Sequence, residues 1–175
     1  MKLKFIPMKR YSASEPPKNT VEIDDARLVF RNFSGKGDKY NREGDRNFAV
    51  VIPTQEQADA LLTDTNEFGI GWNVRVKAPR EEGDEPFRYL KVKITFNEHG
   101  PEIYLNSNGN RRLLTEETVG ILDNIDIESV DLDIRPYDGD GNYGPFRSAY
   151  LVGMEVFQNI SRFAARYAEE EYPCE

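Results

Sequence analysis

The chain has 175 residues, a formal net charge of −8 and a single cysteine. This length suits one domain, and the lone cysteine excludes a disulfide framework or a cysteine metal site within the chain. The negative charge argues against a protein that coats duplex DNA through bulk positive charge. Because no apolar run reaches the roughly 20 residues that span a bilayer, we expect a cytoplasmic protein without a membrane partner.

The N-terminal half is predicted to contain an arm, two strands and a loop. Residues 1–20 hold a proline-rich stretch, and their first ten residues carry four cations and no acid. They are predicted to form a basic, irregular arm. Alternating apolar residues predict strands at 21–33 and 47–52. The glycine-punctuated residues 34–46 between them are predicted to form a loop.

The remaining elements are also short. A capping box at Thr54 predicts a short helix, a second helix is expected to begin at Thr115, and a third follows residue 159. Alternation of apolar and polar residues predicts five further strands, at 70–77, 87–96, 102–105, 127–136 and 147–157. Strict alternation indicates strands that are wet on one face and hence antiparallel. The pattern predicts a mainly β protein, a barrel or a sandwich, with two or three short helices.

The segment from Arg31 to Phe48 combines cations, aromatic rings and glycines. Single-strand binders need cations that follow the phosphates and flat rings on which bases stack. The candidate contacts in this segment are Arg31, Phe33, Lys36, Lys39, Tyr40, Arg42 and Arg46. The alternative is a solvated hairpin loop with some of its rings in the core.

Two further clusters combine rings with cations. One contains Trp72, Arg75 and Lys77, and the other contains Tyr143, Phe146, Arg147 and Tyr150. We expect both to contribute to nucleic-acid binding. For Trp72 and Tyr150, burial in the core is the favoured alternative.

The C-terminus is acidic and aromatic. Such a segment can occupy a basic groove when DNA is absent, or dock a replication partner. The predicted partner-binding residues are Glu169, Glu170, Glu171 and Tyr172. The alternative is a helix end that frays into solvent.

Catalytic sets are sparse. His99 is the single histidine and lies in a Gly-Pro turn, so no usual nucleophile–base pair can form. Asp131 and Asp133, with Lys91 or Lys93, leave open a metal-dependent nuclease, although a solvated strand face is the favoured interpretation. We expect no enzyme activity, no catalytic residue, no cofactor and no bound metal.

Several segments resemble small proteins of tailed bacteriophages. They are 31–52, 82–87, 114–122 and 130–137, and the resemblance covers roughly residues 21–158. Those proteins are phage single-stranded DNA-binding proteins with an oligonucleotide/oligosaccharide-binding (OB) barrel. The resemblance implies an OB-like antiparallel β-barrel at 21–158, preceded by the flexible arm 1–20 and followed by a helix and acidic tail at 159–175.

The resemblance also implies a function. The expected protein coats and protects single-stranded DNA during phage replication or recombination in the host cytoplasm. A polymerase or helicase is the expected partner of the acidic tail, and a homodimer is left open, as is the choice between DNA and RNA. The alternative is an acidic phage interaction or anti-defence protein that binds a host protein.

Overall fold

The structure, a computed structural model, describes residues 1–160 and confirms the mainly β prediction. The α-helix α1 spans Gln55–Thr63, and a 3-10 helix spans Val119–Asp123. The helix expected after residue 159 lies outside the described residues. The ten strands are β1 (Lys2–Pro7), β2 (Asn19–Ala26), β3 (Leu28–Asn32), β4 (Arg46–Val51), β5 (Val74–Lys77), β6 (Phe87–Ile94), β7 (Glu102–Ser107), β8 (Asn110–Leu114), β9 (Ile127–Gly141) and β10 (Gly144–Gln158).

The strands form one sheet whose main path is β1-β2-β9-β10-β6-β4-β3. β5 also pairs with β6, and β7 pairs with β8 and β10. Most pairs are antiparallel as expected, but β10 runs parallel to β6 at Ala149 and parallel to β7 from Gly153 onward. The 15-residue length of β10 allows this, because β9 covers one edge while two strands share the other. Between residues 1 and 160 the path is open, since β1 and β3 lie at its ends.

The core lies on one face of the long strands. Successive strand residues point to opposite sides of a sheet, and every second residue is buried from Arg88 to Ile94 in β6 and from Val130 to Pro136 in β9. Two buried residues of α1, Ala58 and Leu61, join this cluster. The inward residues of β6 and β9 are Leu90, Val92, Ile94, Val130, Leu132 and Ile134. The other face of β6 therefore points away from the core.

The segment 64–73 packs beside α1, and the next strand begins only after it. The predicted cap of α1 is confirmed, because Thr54 Oγ1 accepts a hydrogen bond of 3.1 Å from the Gln57 amide. Past the helix, the Trp72 amide donates to the Leu61 carbonyl at 3.2 Å. A Cβ at Gly71 would lie 2.1 Å from the Leu62 carbonyl oxygen. This close approach keeps the segment out of the sheet, so the strand predicted from residue 70 begins only at Val74.

The N-terminal arm is only partly irregular. Lys2–Pro7 forms β1, antiparallel to β2, so the prediction of an irregular arm is wrong for these residues. Apolar Leu3 and Phe5 alternate with lysines and pack against the core, which draws the segment onto the edge of the sheet. Lys2 and Lys4 lie directly opposite Asp24 and Glu22. Opposite charges at such positions stabilise the pairing.

The strand predicted at 21–33 is two strands. Asp25 adopts a left-handed φ of 55°, and the pairing of β2 with β9 shifts register between Ile23 and Ala26. This irregularity separates β2 from β3. It also allows β3 to pair with β4 at the opposite end of the sheet path.

Candidate nucleic-acid interface

The outward face of β6 carries two rings followed by two lysines. These side chains alternate with buried residues, so the core pattern itself fixes their direction. The tyrosine is half-buried and both lysines are exposed. The outward residues of β6 are Phe87, Tyr89, Lys91 and Lys93.

Strand register extends this surface to both sides of β6. Directly paired residues point to the same side of a sheet, and Arg75 of β5 lies opposite Tyr89. On β10, Tyr150 lies opposite Lys93 and also opposite Arg135 of β9. We call the whole surface the β6 face, and it comprises Arg75, Lys77, Phe87, Tyr89, Lys91, Lys93, Arg135, Tyr137, Phe146 and Tyr150.

Phe30 of β3 adds a ring to one side of the β6 face. Its centroid lies 5.3 Å from that of Tyr89 and 6.2 Å from that of Phe87, both edge to face. Phe30 nevertheless remains 59% exposed. Its φ of 52° lies in the left-handed region, which is uncommon for a bulky residue and often marks functional positions. The backbone therefore holds an aromatic ring on the surface.

The cations of the β6 face lie on β5, β6 and β9. The Tyr150 ring lies within 6.0 Å of Lys93 Nζ and 5.1 Å of the Arg135 guanidinium carbon. Burial lowers the pKa of Lys91, as do the like charges of Lys93 and Arg75, against the opposing effect of Asp45. Across residues 1–160, none of these cations lies within salt-bridge distance of an acid. The surface therefore has positive charge available to an anion.

A groove of about 990 Å³ adjoins this face. Tyr89 and Lys91 line it on the side of the β6 face, and the exposed Lys36 and Tyr40 line it on the side of the loop that follows β3. We call it the loop groove. Because Tyr89 and Lys91 belong to both, the loop groove and the β6 face form one continuous surface.

Two of the loop's acids are used to order its own backbone. Asp38 Oδ1 accepts hydrogen bonds of 2.7 Å from the amides of Tyr40 and Asn41, and these bonds lower the pKa of Asp38. Glu43 Oε2 accepts from the Gly37 amide at 2.8 Å. The loop's cations have no such partner among the described residues and remain exposed: Lys36, Lys39 and Arg42.

Three predicted contacts belong to the core instead. Phe33 is fully buried and stacks on Phe48, with ring centroids 5.1 Å apart. Trp72 is 1% exposed, and its Nε1 donates to Asp64 at 2.9 Å. Arg147 is 3% exposed. Their burial contradicts the prediction that these side chains stack bases or bind phosphates, because Phe33 and Trp72 pack in the core and the Arg147 guanidinium is paired with the Asp138 carboxylate.

Arg147 is the centre of a buried polar network. Its Nε and Nη2 donate to the two carboxylate oxygens of Asp138 at 2.7 and 3.1 Å, and Nη1 donates to the Asp64 carbonyl at 2.7 Å. Burial acts to raise the pKa of Asp138. The hydrogen bonds from Arg147 and Asn66 and the charges of Arg147 and Lys18 outweigh it, so this pKa lies below its ordinary value. The network fastens the β9–β10 hairpin to the segment after α1.

Two predicted arginines of the Arg31–Phe48 segment hold backbone. Arg31 Nη1 donates to the carbonyls of Leu122 and Ile125, both at 2.8 Å, and Arg46 Nη1 donates to the Phe33 carbonyl. Both are half-buried. The predicted contacts that stay exposed are Lys36, Lys39, Tyr40, Arg42, Arg75, Lys77 and Tyr143. The predicted partner-binding residues Glu169, Glu170, Glu171 and Tyr172 lie outside the described residues.

Sequence reasoning missed most of the β6 face. A signal was present in Phe87–Ile94, where the wet side of a strictly alternating strand carries rings and lysines. The alternation predicts the strand, but it does not by itself indicate that the exposed side binds a ligand. Phe146 and Tyr150 belong to the predicted secondary cluster, and the missed nucleic-acid contacts are Phe30, Phe87, Tyr89, Lys91, Lys93, Arg135 and Tyr137.

The residues of the nuclease alternative do not meet. Asp131 Oδ1 accepts a hydrogen bond of 2.9 Å from the Asp25 amide. Asp133 lies on β9, which β10 separates from the lysines of β6. Burial raises the pKa of Asp133, with the charges of Glu22 and Asp24 in support. In the described part of the chain, no three His, Cys, Asp or Glu residues cluster as metal ligands would.

Comparison with known proteins was made for the chain as a whole. A single-stranded DNA-binding protein from bacteriophage Enc34 in complex with ssDNA shares 14% identity with the chain and a TM-score of 0.50, over 91% of this chain and 98% of that one. Another structure of the Enc34 protein gives 12% identity and a TM-score of 0.48, over 91% and 93%. No curated protein compared with the chain matches it. No helix within residues 1–160 is long and apolar enough to cross a membrane.

The likeness to the Enc34 protein shows a shared fold, as expected for an OB-like protein. The family model described as "Putative phage ssDNA-binding domain" matches residues 12–172. Since this match covers most of the chain, the chain belongs to that family of phage single-stranded DNA-binding domains.

Proposed function

We propose that the chain binds single-stranded DNA on the β6 face and in the loop groove, and that it acts without catalysis. One observation supports this most strongly: outward rings, and cations with no acid within salt-bridge distance in residues 1–160, form a continuous surface across β5, β6, β9 and β10. Rings stack bases and contribute about 1–3 kcal/mol per base, while cations follow the phosphates. The similar Enc34 protein was solved in complex with ssDNA.

The distribution of charge reconciles this function with a net charge of −8. Binding depends on the local field at the surface that meets the strand, rather than on the sum over the chain. Lys2 and Lys4 lie directly opposite acids on β2, whereas the strand partners of Lys91 and Lys93 on the β6 face are uncharged. The cations are thus available where the rings are.

The proposed role is to coat exposed strands during phage replication or recombination in the host cytoplasm. Bound protein would suppress hairpins and shield the strand from nucleases. The acidic C-terminal residues would recruit a polymerase or helicase, and a homodimer would extend the coated length. Family membership supports the DNA role, and the tail's composition supports the partner role.

A fluorescence-anisotropy titration with labelled oligo-dT at low salt tests the proposal. We expect micromolar or tighter binding that weakens steeply as salt rises, and weaker binding to duplex DNA. A parallel titration with oligo-U compares DNA with RNA, because stacking alone does not read the sugar. Absence of oligo-dT binding at micromolar protein would overturn the proposal.

Matched charge removals locate the binding surface. Lys91→Gln/Lys93→Gln removes two cations from the β6 face, and Lys2→Gln/Lys4→Gln removes two from β1 at the far end of the sheet path. Both variants change the net charge equally. We expect the first to weaken oligo-dT binding clearly and the second to have little effect; equal effects would contradict binding on the β6 face.

A further inference from the structure

The sheet forks where β10 leaves β6. The two strands pair only at Ala149–Val92 and Tyr150–Lys93. Before those pairs β10 continues along β9, while the same edge of β6 is taken by β5, starting at Val74 opposite Leu90. β5 thus lies between β6 and β10 where these two strands separate. A notch is present at the N-terminal end of β5.

This notch has the size and lining of an anion site. Its volume is about 160 Å³, roughly five times the ~30 Å³ that one water occupies in the liquid, so it has room for a group of five heavy atoms. Arg75, Lys91 and Lys93 line it together with the polar residues Ser148 and Asn73. None of its eight lining residues is acidic.

The cations around the notch repel one another in the absence of an anion. The like charges of Lys93 and Arg75 add to burial in lowering the pKa of Lys91. A fourth cation in the lining, Arg147, is already neutralised by the Asp138 carboxylate. The three outward cations instead converge on one small volume, and an anion there would relieve their mutual repulsion.

We infer that the fork between β6 and β10 holds one backbone phosphate of the bound strand, shared by Arg75, Lys91 and Lys93. This inference rests on the proposed function and specifies where one phosphate of the strand is held. Rings lie on both sides of the fork, Tyr89 on β6 and Tyr150 on β10. A phosphate held between them fixes the register of the strand, so that its neighbouring bases lie over these rings.

The salt dependence of oligo-dT binding distinguishes one shared phosphate from three separate contacts. For single strands, each neutralised phosphate contributes about 0.7 to the slope of log K against log salt. The variant Arg75→Gln/Lys91→Gln/Lys93→Gln should lower the slope by about 0.7 if the cations share one phosphate. Three independent phosphate contacts would lower it by about 2.1 instead, three times the same increment.

The outcomes separate this inference from the proposed function. A wild-type chain that does not bind oligo-dT would overturn the proposed function. Wild-type binding with a slope change near zero or near 2.1 in the triple variant would overturn the shared site and leave DNA binding intact. Lys2→Gln/Lys4→Gln serves as the charge control, and an unchanged urea midpoint of the triple variant shows that its fold is retained.

Discussion

Two regions of this protein combine aromatic rings with cations, but one region buries them and the other exposes them. In the Arg31–Phe48 segment, Phe33 is buried against Phe48 and Arg31 donates to two backbone carbonyls. On the β6 face, Tyr89 and Lys91 point away from the core and remain accessible. Both regions combine the residue types that single-strand binders use, so composition does not separate them.

The difference lies in what the backbone requires of each region. The chain between β3 and β4 leaves the sheet, so its amides and carbonyls need side-chain partners. Arg46 and Glu43 supply such partners to the carbonyl of Phe33 and the amide of Gly37. The backbone of β6 is paired on both edges by strands, so its outward side chains are not needed to satisfy backbone groups. Regular strands can therefore present side chains to a ligand, whereas the side chains of irregular loops often form hydrogen bonds with the loop's own backbone.

The largest effect on stability is expected from removing Arg147. Its side chain is buried, as that of Phe33 is. Arg147→Ala removes both guanidinium hydrogen bonds to the buried Asp138 carboxylate, which among residues 1–160 keeps only Lys18 at 3.3 Å and the Asn66 amide. We therefore expect a loss toward the lower end of about 3–5 kcal/mol in the free energy of unfolding, the range for breaking a buried ion pair. Urea denaturation measures it. The double variant Asp138→Asn/Arg147→Met removes both charges and should recover part of the loss. A direct contact with DNA would appear instead as lost affinity at unchanged stability.

Arg31→Gln should also act through stability. It removes two charge-assisted hydrogen bonds to the carbonyls of Leu122 and Ile125. Because both come from one nitrogen of a half-buried side chain, we expect their combined loss to cost about 1.5–3 kcal/mol, the range for one such bond. We expect a lower urea midpoint and nearly unchanged oligo-dT affinity under conditions where the variant stays folded. Reduced affinity with an unchanged midpoint would place Arg31 in the binding surface and weaken the contrast between the two regions.

Tyr89→Ala should show the reverse pattern. Loss of one stacking ring costs about 1–3 kcal/mol, which corresponds to roughly a 5- to 150-fold weaker oligo-dT affinity. Tyr89→Phe keeps the ring and should bind nearly as the wild type does. Tyr11→Ala removes an 85% exposed ring from outside the strands of the β6 face and serves as the control. An affinity loss shared equally by Tyr11→Ala would show that the β6 face has no special role.

The smallest effect is expected at Tyr40, the exposed ring of the loop. It is 83% exposed and lines the loop groove, so Tyr40→Ala should weaken oligo-dT binding by about 1 kcal/mol, the lower end of the stacking range. Arg42→Ala should reduce affinity in the same direction. Competition titrations can resolve such small changes. If both variants bind as the wild type does, the loop has a structural role alone.

Local patterns predicted much of the fold. The alternation in Phe87–Ile94 and the cap at Thr54 depend on neighbours in the sequence, and both are confirmed. β1 was missed because its partner β2 begins a dozen residues after it ends, beyond a proline-rich turn. Parallel pairing of β10 was missed because alternation specifies which side a residue faces but gives no strand direction.

The candidate site was harder to predict than the fold, because exposure depends on distant contacts. Arg147 has the composition of a surface cation, but its partners Asp138 and Asp64 become its neighbours only in the folded protein. Lys91 was considered only as a nuclease residue. Its neighbours Arg75 and Tyr150 arrive on other strands, so the sequence shows half of the surface at most.

The position of Trp72 allows tryptophan fluorescence and tyrosine fluorescence to report on different parts of this molecule. It is the single tryptophan, it is buried, and the Arg147 guanidinium carbon lies 5.1 Å from its ring centroid. The rings of the β6 face are phenylalanines and tyrosines. Emission excited at the red edge of the absorption band therefore reports the packing of the interior, while quenching of tyrosine emission reports an occupied surface. Unfolding and DNA binding can thus be followed in one unlabelled sample.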